Sequence, residues 1–115
     1  MNIWKFNDFE VDIDVTDVDF IEKLENSGIY ELDDNFSSEI KKLSEMYREK
    51  CDEIESILIK IFGNDCLEKL FHGKKSFKVH TDCLTSFMEF VATENNKLES
   101  EIENKRKVIA KYDIK

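Results

Sequence analysis

The sequence predicts a mainly α-helical domain of the α+β class: an N-terminal β-hairpin followed by four helices, two of them long and antiparallel. Three observations predict it. No proline occurs, and glycine stands only at positions 28, 63 and 73, so few positions break a helix or supply a left-handed turn. Apolar residues recur at spacings of three, four or seven over most of the chain, which is the helical period. Near the start, Phe9, Val11, Ile13 and Val15 instead alternate with Glu10, Asp12, Asp14 and Thr16, the period-2 pattern of a half-buried strand.

The hairpin is expected over residues 2–15. Ile3-Trp4-Lys5-Phe6 is β-prone, and Asn7-Asp8 suits a two-residue turn because these side chains tolerate left-handed backbone. Thr16, with Asp19 three residues on, reads as the N-cap of a first helix at about 17–27 that ends at Ser27-Gly28. After a polar connection through Asp33, Asp34 and Asn35, a second helix carries the stripe Phe36, Ile40, Leu43, Tyr47, Ile54, Leu58, Ile61 and stops at Gly63. Asn64 or Asp65 can cap a short third helix with Leu67, Leu70 and Phe71 inward and Gly73 as its left-handed stop.

From about Phe77 the pattern resumes as Leu84, Phe87, Met88 and Val91, then thins to Leu98, Ile102 and Ile109. This fourth helix is expected to run to near the C-terminus. Its last third is expected to pack along the second helix, which would also account for that helix's long stripe; the alternative is contact with another chain. The series Val91, Asn95, Leu98, Ile102, Lys105, Ile109 is spaced like a coiled-coil seam, but Asn95 and Lys105 interrupt it.

A chain of 115 residues has apolar material for one core, so residues 1–115 read as a single domain with its helical region at 17–115. Charged residues make up 37%, well above the usual ~25%, which suits helices with one buried stripe and a wide wet face. The start has no basic segment before an apolar run, and no stretch nears the ~18 apolar residues of a membrane span. The expectation is a protein that is not exported, has no membrane partner and resides in the cytoplasm. Cys51, Cys66 and Cys83 are odd in number and lie in helical patterns, as reduced thiols do.

The net charge of −9 is uneven: residues 1–35 hold eleven acids and two lysines, and the remainder is balanced at fifteen each. Such an acidic end repels phosphates, so nucleic acid is not an expected partner. Lys105-Arg106-Lys107 falls near a helix C-terminus, where cations complement the macrodipole.

A calcium loop starting at Asp12 would need glycine at 17 and glutamate at 23, where the chain has Asp17 and Lys23. Cys66, His72, His80 and Cys83 are zinc-type ligands without the paired spacing of a structural zinc site. His80 and Cys83 lie one helical turn apart, within reach of each other, yet no third orienting group is evident. The expectation is a non-catalytic protein without a cofactor. The aromatic residues Trp4, Phe6 and Phe9 either cover the helices or form an exposed patch that grips a partner. A lone hairpin is marginal in water, so its edge is a candidate interface.

Taken in order, the hairpin Phe6-Asn7-Asp8-Phe9-Glu10-Val11-Asp12-Ile13, an acidic first helix, a long charged helix ending Ile61-Phe62-Gly63 and the segment Lys69-Leu70-Phe71-His72-Gly73-Lys74-Lys75 resemble the small tail assembly chaperones of phages and prophages of Gram-positive bacteria. The helix through Val79-His80-Thr81-Asp82-Cys83-Leu84-Thr85-Ser86-Phe87 and the charged helical tail continue the likeness. His72 departs from it, standing where that family would have a small residue. The resemblance implies a protein of the bacterial host cytoplasm that coats the helical tape-measure protein, assists tail-tube assembly and self-associates as an oligomer. The surfaces expected to serve are the hairpin around Trp4 and Phe6 and the last helix at Leu98, Ile102 and Ile109. The alternative is a small acidic adaptor or inhibitor from a mobile element, also acting by protein binding.

Overall fold

The computed structural model describes the backbone of residues 2–32 and 42–112 and the side chains of 2–32 and 42–107. Strand β1 (Ile3–Phe6) pairs antiparallel with β2 (Phe9–Asp12) in the register Ile3↔Asp12 to Phe6↔Phe9. Asn7 turns the chain with φ 50°, a left-handed conformation that asparagine accepts more readily than most residues. The turn is anchored on helix α3 (Cys66–Phe71). Asn7 Nδ2 donates to the Leu70 carbonyl at 2.6 Å and the Asp8 amide donates to the Lys69 carbonyl at 3.2 Å. Carbonyls in a last helical turn lack partners within the helix, so the hairpin turn and the helix end satisfy each other.

The strand ends at Asp12 rather than at 15, although Ile13 and Val15 remain buried as the alternation predicts. Asp14 causes the break: its carboxylate accepts from the Thr16 amide at 2.9 Å and the Thr16 hydroxyl at 2.5 Å. These bonds, the hydroxyl's first, hold the Asp14 carboxyl below its usual range. Thr16 is thereby committed, and the cap of α1 (Val18–Asn26) is Asp17, which accepts from the Asp19 amide at 2.9 Å. After α1, Ser27 is buried with its hydroxyl donating to the Leu24 carbonyl and accepting from the Ile29 amide. Gly28 at φ 90° leads into a 3₁₀ turn at Ile29–Glu31. The expected Asp33-Asp34-Asn35 connection, with Phe36 and Ile40, lies outside the described residues.

Helix α2 (Leu43–Phe62) buries Cys51, Ile54, Ile57, Leu58 and Ile61. Tyr47 sits higher on the helix and stacks on Phe77 with ring centroids 4.7 Å apart. Helix α3 buries Cys66, Leu70 and Phe71; Asp65 stands at its N-cap but makes no side-chain capping bond. Its left-handed stop comes one residue early, at His72 with φ 52°, followed by Gly73 at φ 76°. Helix α4 (Phe77–Tyr112) has 36 residues, about 54 Å at 1.5 Å per residue.

The two long helices run in the same direction, not antiparallel as the sequence suggested. Tyr47 meets Phe77, Glu55 meets His80 and Phe62 meets Phe87, so contacts advance together along both helices. The reason is the connection: α3 carries the chain back beside α2 before α4 begins. Periodicity reports which face of a helix is buried but not the direction of its neighbour. The core lies where α2, α3, α4 and the hairpin converge, centred on Trp4, Leu58, Leu70 and Phe87. Among the described residues no buried side-chain polar atom lacks a hydrogen-bond partner, and no helix is long and apolar enough to cross a membrane.

Candidate protein interface

The core stripe of α4 runs through His80, Cys83, Leu84, Phe87 and Val91 and continues as Glu94 and the half-buried Leu98. Residues 99–107 are then all exposed, Ile102 at 41%. The expected packing of this last third along α2 does not occur. Because the two helices are parallel and α2 stops at Phe62, level with Phe87, α4 outruns its neighbour. Leu98 and Ile102 share a face at i,i+4, so the stripe that builds the core extends past it as a narrow apolar strip. Beside that strip Glu99, Glu101 and Glu103 are followed by Lys105, Arg106 and Lys107. Glu101 and Glu103 each precede a lysine by four residues, a spacing that steadies a free helix by about 0.3–0.5 kcal/mol per pair.

The hairpin residues belong elsewhere. Trp4 is only 2% exposed; it stacks on Phe62, meets Phe9 and Phe87 edge-on and donates from Nε1 to Ser86 Oγ at 3.1 Å. It is a core residue, which corrects its place in an exposed patch. Phe6 is half-buried and packs against the same core. What the hairpin does present is Ile3, 49% exposed, at the rim of an open groove of about 550 Å³ between β1 and α4, also lined by Lys5, Glu89, Thr93 and Lys97. The side chain of Ile109 lies outside the described residues. Of the five residues expected to form an interface, the structure therefore brings Leu98 and Ile102 together and sends Trp4 inward.

The residues that resembled catalytic or zinc groups are separated. His72 Nε2 lies 2.9 Å from Asp8 Oδ2 at the surface. His80 is fully buried, with Nδ1 2.8 Å from the Ser76 carbonyl and Nε2 2.7 Å from Glu55 Oε2. Phe71 covers it face to face, centroids 3.8 Å apart and planes 5° apart. A carbonyl oxygen only accepts, so Nδ1 donates to Ser76, and Nε2 shares a hydrogen bond with the Glu55 carboxyl. Lys75 joins the same acids, pairing with Asp52 and lying 3.5 Å from Glu55; the Asp52 bond above all holds its ammonium group above the usual range. This network fastens the start of α4 to α2.

Cys83 gains no base from His80. Burial pushes its thiol up to about 12 and that of Cys66 up to about 11, with Cys51 also raised by burial. Thiols held so far above neutrality carry almost no thiolate, the reactive form. Among the described residues no three histidine, cysteine or acidic side chains cluster as a metal site.

Sequence reasoning missed Glu55, Asp52 and Lys75, because an ion pair spanning 25 positions leaves no periodic signal. It also missed Glu94, buried and 3.3 Å from Lys97. That signal was present: Glu94 is three residues after Val91 and four before Leu98, on the buried face.

Residues 7–114 match one protein family, described as "Family of unknown function (DUF6673)". The chain belongs to this family. The DUF6673 match takes in β2, the four helices and the His80 network and leaves β1 outside. No curated protein matches the chain, and no solved structure matches it.

Proposed function

We propose that this member of DUF6673 acts without catalysis, as a tail-assembly-chaperone-like protein of a phage or prophage in its host's cytoplasm. On this reading it binds the tape-measure protein and assists tail-tube assembly. The observation that carries the binding role is the continuation of the α4 core stripe beyond the body, where Leu98 and Ile102 stand on an exposed helix. An amphipathic partner helix with apolar residues at i and i+4 is the complementary shape. The fully engaged nitrogens of His80 and the protonated thiols support the absence of covalent or acid–base chemistry. The tail-assembly assignment rests on the likeness of the hairpin, the Lys69–Lys75 segment and the charged tail to that family.

The test is co-expression with the tape-measure protein encoded nearest to the gene. Stable co-purification, with the partner kept soluble, is expected. If the two do not associate, or no tape-measure gene lies nearby, a small acidic adaptor of another protein replaces this reading.

A further inference from the structure

The apolar strip at the free end of α4 is framed by an acid on each side. At about 100° per residue, Leu98 and Ile102 share one face, Glu99 and Glu101 fall about 80° to either side of its midline, and Ser100 lies on the opposite face. Both glutamates are exposed, as are all residues from 99 to 107. Lys97 holds the buried Glu94 at 3.3 Å, but among the described residues no ion pair holds Glu99 or Glu101. Lys105 and Arg106 come one turn beyond Ile102, so the acidic frame coincides with the apolar pair and ends with it. A reversed second copy laid strip on strip would bring these acids against the same acids, a like-charge contact that costs affinity.

We infer that this strip takes a basic partner: an amphipathic helix whose apolar i,i+4 pair is flanked on both sides by lysine or arginine. The apolar pairs pack on each other, and the partner's cations lie over Glu99 and Glu101, their stems covering the edges of the strip while their charged ends stay in water. Charges at such a solvent-open rim select among partners and speed the arrival of the matching one. The apolar contact is short, a single pair from this chain, so many amphipathic helices would fit it by shape alone and the acidic frame supplies the discrimination. The inference deepens the proposed function: it rests on the reading of this strip as a binding surface and not on the partner being the tape-measure protein.

The test is a titration of the full chain with two synthetic helices, followed through the methyl signals of Leu98 and Ile102. Both peptides carry leucine at i and i+4; one has lysine and the other glutamate at i+1 and i+3. The lysine peptide is expected to bind about tenfold tighter at low salt, because both flanking contacts change sign between the two, and the difference is expected to shrink in high salt. Glu99→Lys with Glu101→Lys is expected to invert the preference although the whole chain, at −9 before the change, stays acidic; that inversion separates the frame from general charge attraction. Equal binding of the two peptides, a preference unchanged in that variant, or methyl signals unmoved at about 1 mM peptide would each overturn the inference. So would methyl shifts that follow protein concentration alone, the sign of a second copy on the strip. Co-purification with the tape-measure protein that survives the double reversal would overturn the inference and leave the proposed function standing. A lysine-peptide preference without tape-measure binding would do the opposite.

Discussion

Trp4 Nε1 donates to Ser86 Oγ at 3.1 Å across 82 positions of sequence, and that bond joins the hairpin to the first third of α4. The indole around it touches three other aromatic rings, making Trp4 the element that turns a marginal hairpin into part of the core. Trp4→Ala is expected to cost about 3–5 kcal/mol. Trp4→Phe, which loses the bond and part of the ring, should cost less. Urea denaturation measures both; a loss under about 1 kcal/mol for the alanine variant would show that the hairpin is dispensable.

Glu55 and His80 form the second long-range tie. His80→Ala removes a buried hydrogen bond to Glu55 and the stacking on Phe71 and leaves a cavity, so it is expected to destabilise by about 3 kcal/mol or more. A double variant, His80→Phe with Glu55→Gln, should recover part of that loss, because no buried charge remains uncompensated. Equal stability of His80→Ala and the parent protein would contradict the network's structural role.

The left-handed stop of α3 predicts a gain. His72 adopts φ 52°, where a side chain costs about 1 kcal/mol relative to glycine, while its contact with Asp8 is exposed and worth less. His72→Gly is expected to raise stability by up to about 1 kcal/mol, read as an increased urea midpoint with unchanged slope. A decrease would mean that the Asp8 contact outweighs backbone strain.

The buried thiols predict behaviour at high pH. Cys66 and Cys83 titrate at about 11 and 12 in the folded chain against 9.0 for a free thiol. Between those values the unfolded chain releases protons that the folded one keeps, so stability is complete below about pH 9 and falls as pH rises toward 11–12. Denaturation midpoints across that range should decline, less steeply in Cys83→Ala. At pH 8 a thiol reagent should react slowly with the folded protein and with all three cysteines once it is unfolded.

Much of this fold was legible because it is written in period. The alternation at 9–15 gave the buried Ile13 and Val15, and the spacing of Ile54, Leu58 and Ile61 gave the buried face of α2. Three things were not legible. The cap moved from Thr16 to Asp17 because Asp14 competes for the threonine, a contest between neighbouring polar groups that pattern alone does not decide. The parallel course of α2 and α4 depends on how α3 folds back. The choice between the two readings of Trp4, cover for the helices or exposed grip, depends on Phe62 and Phe87, aromatic partners far along the chain. Leu98 and Ile102 were visible as a strip, but the sequence suggested α2 as their cover, and only the end of α2 at Phe62 shows them outrunning it.

The most direct test of the binding role combines two readings on one variant, Leu98→Glu with Ile102→Glu. The account predicts an unfolding free energy within about 1 kcal/mol of the parent, because Ile102 is exposed and Leu98 is only half-buried beyond the core, together with loss of co-purification with the tape-measure protein. A stability loss above about 2 kcal/mol, or undiminished binding, would contradict the account: the first would make the strip part of the core, and the second would place the binding surface elsewhere.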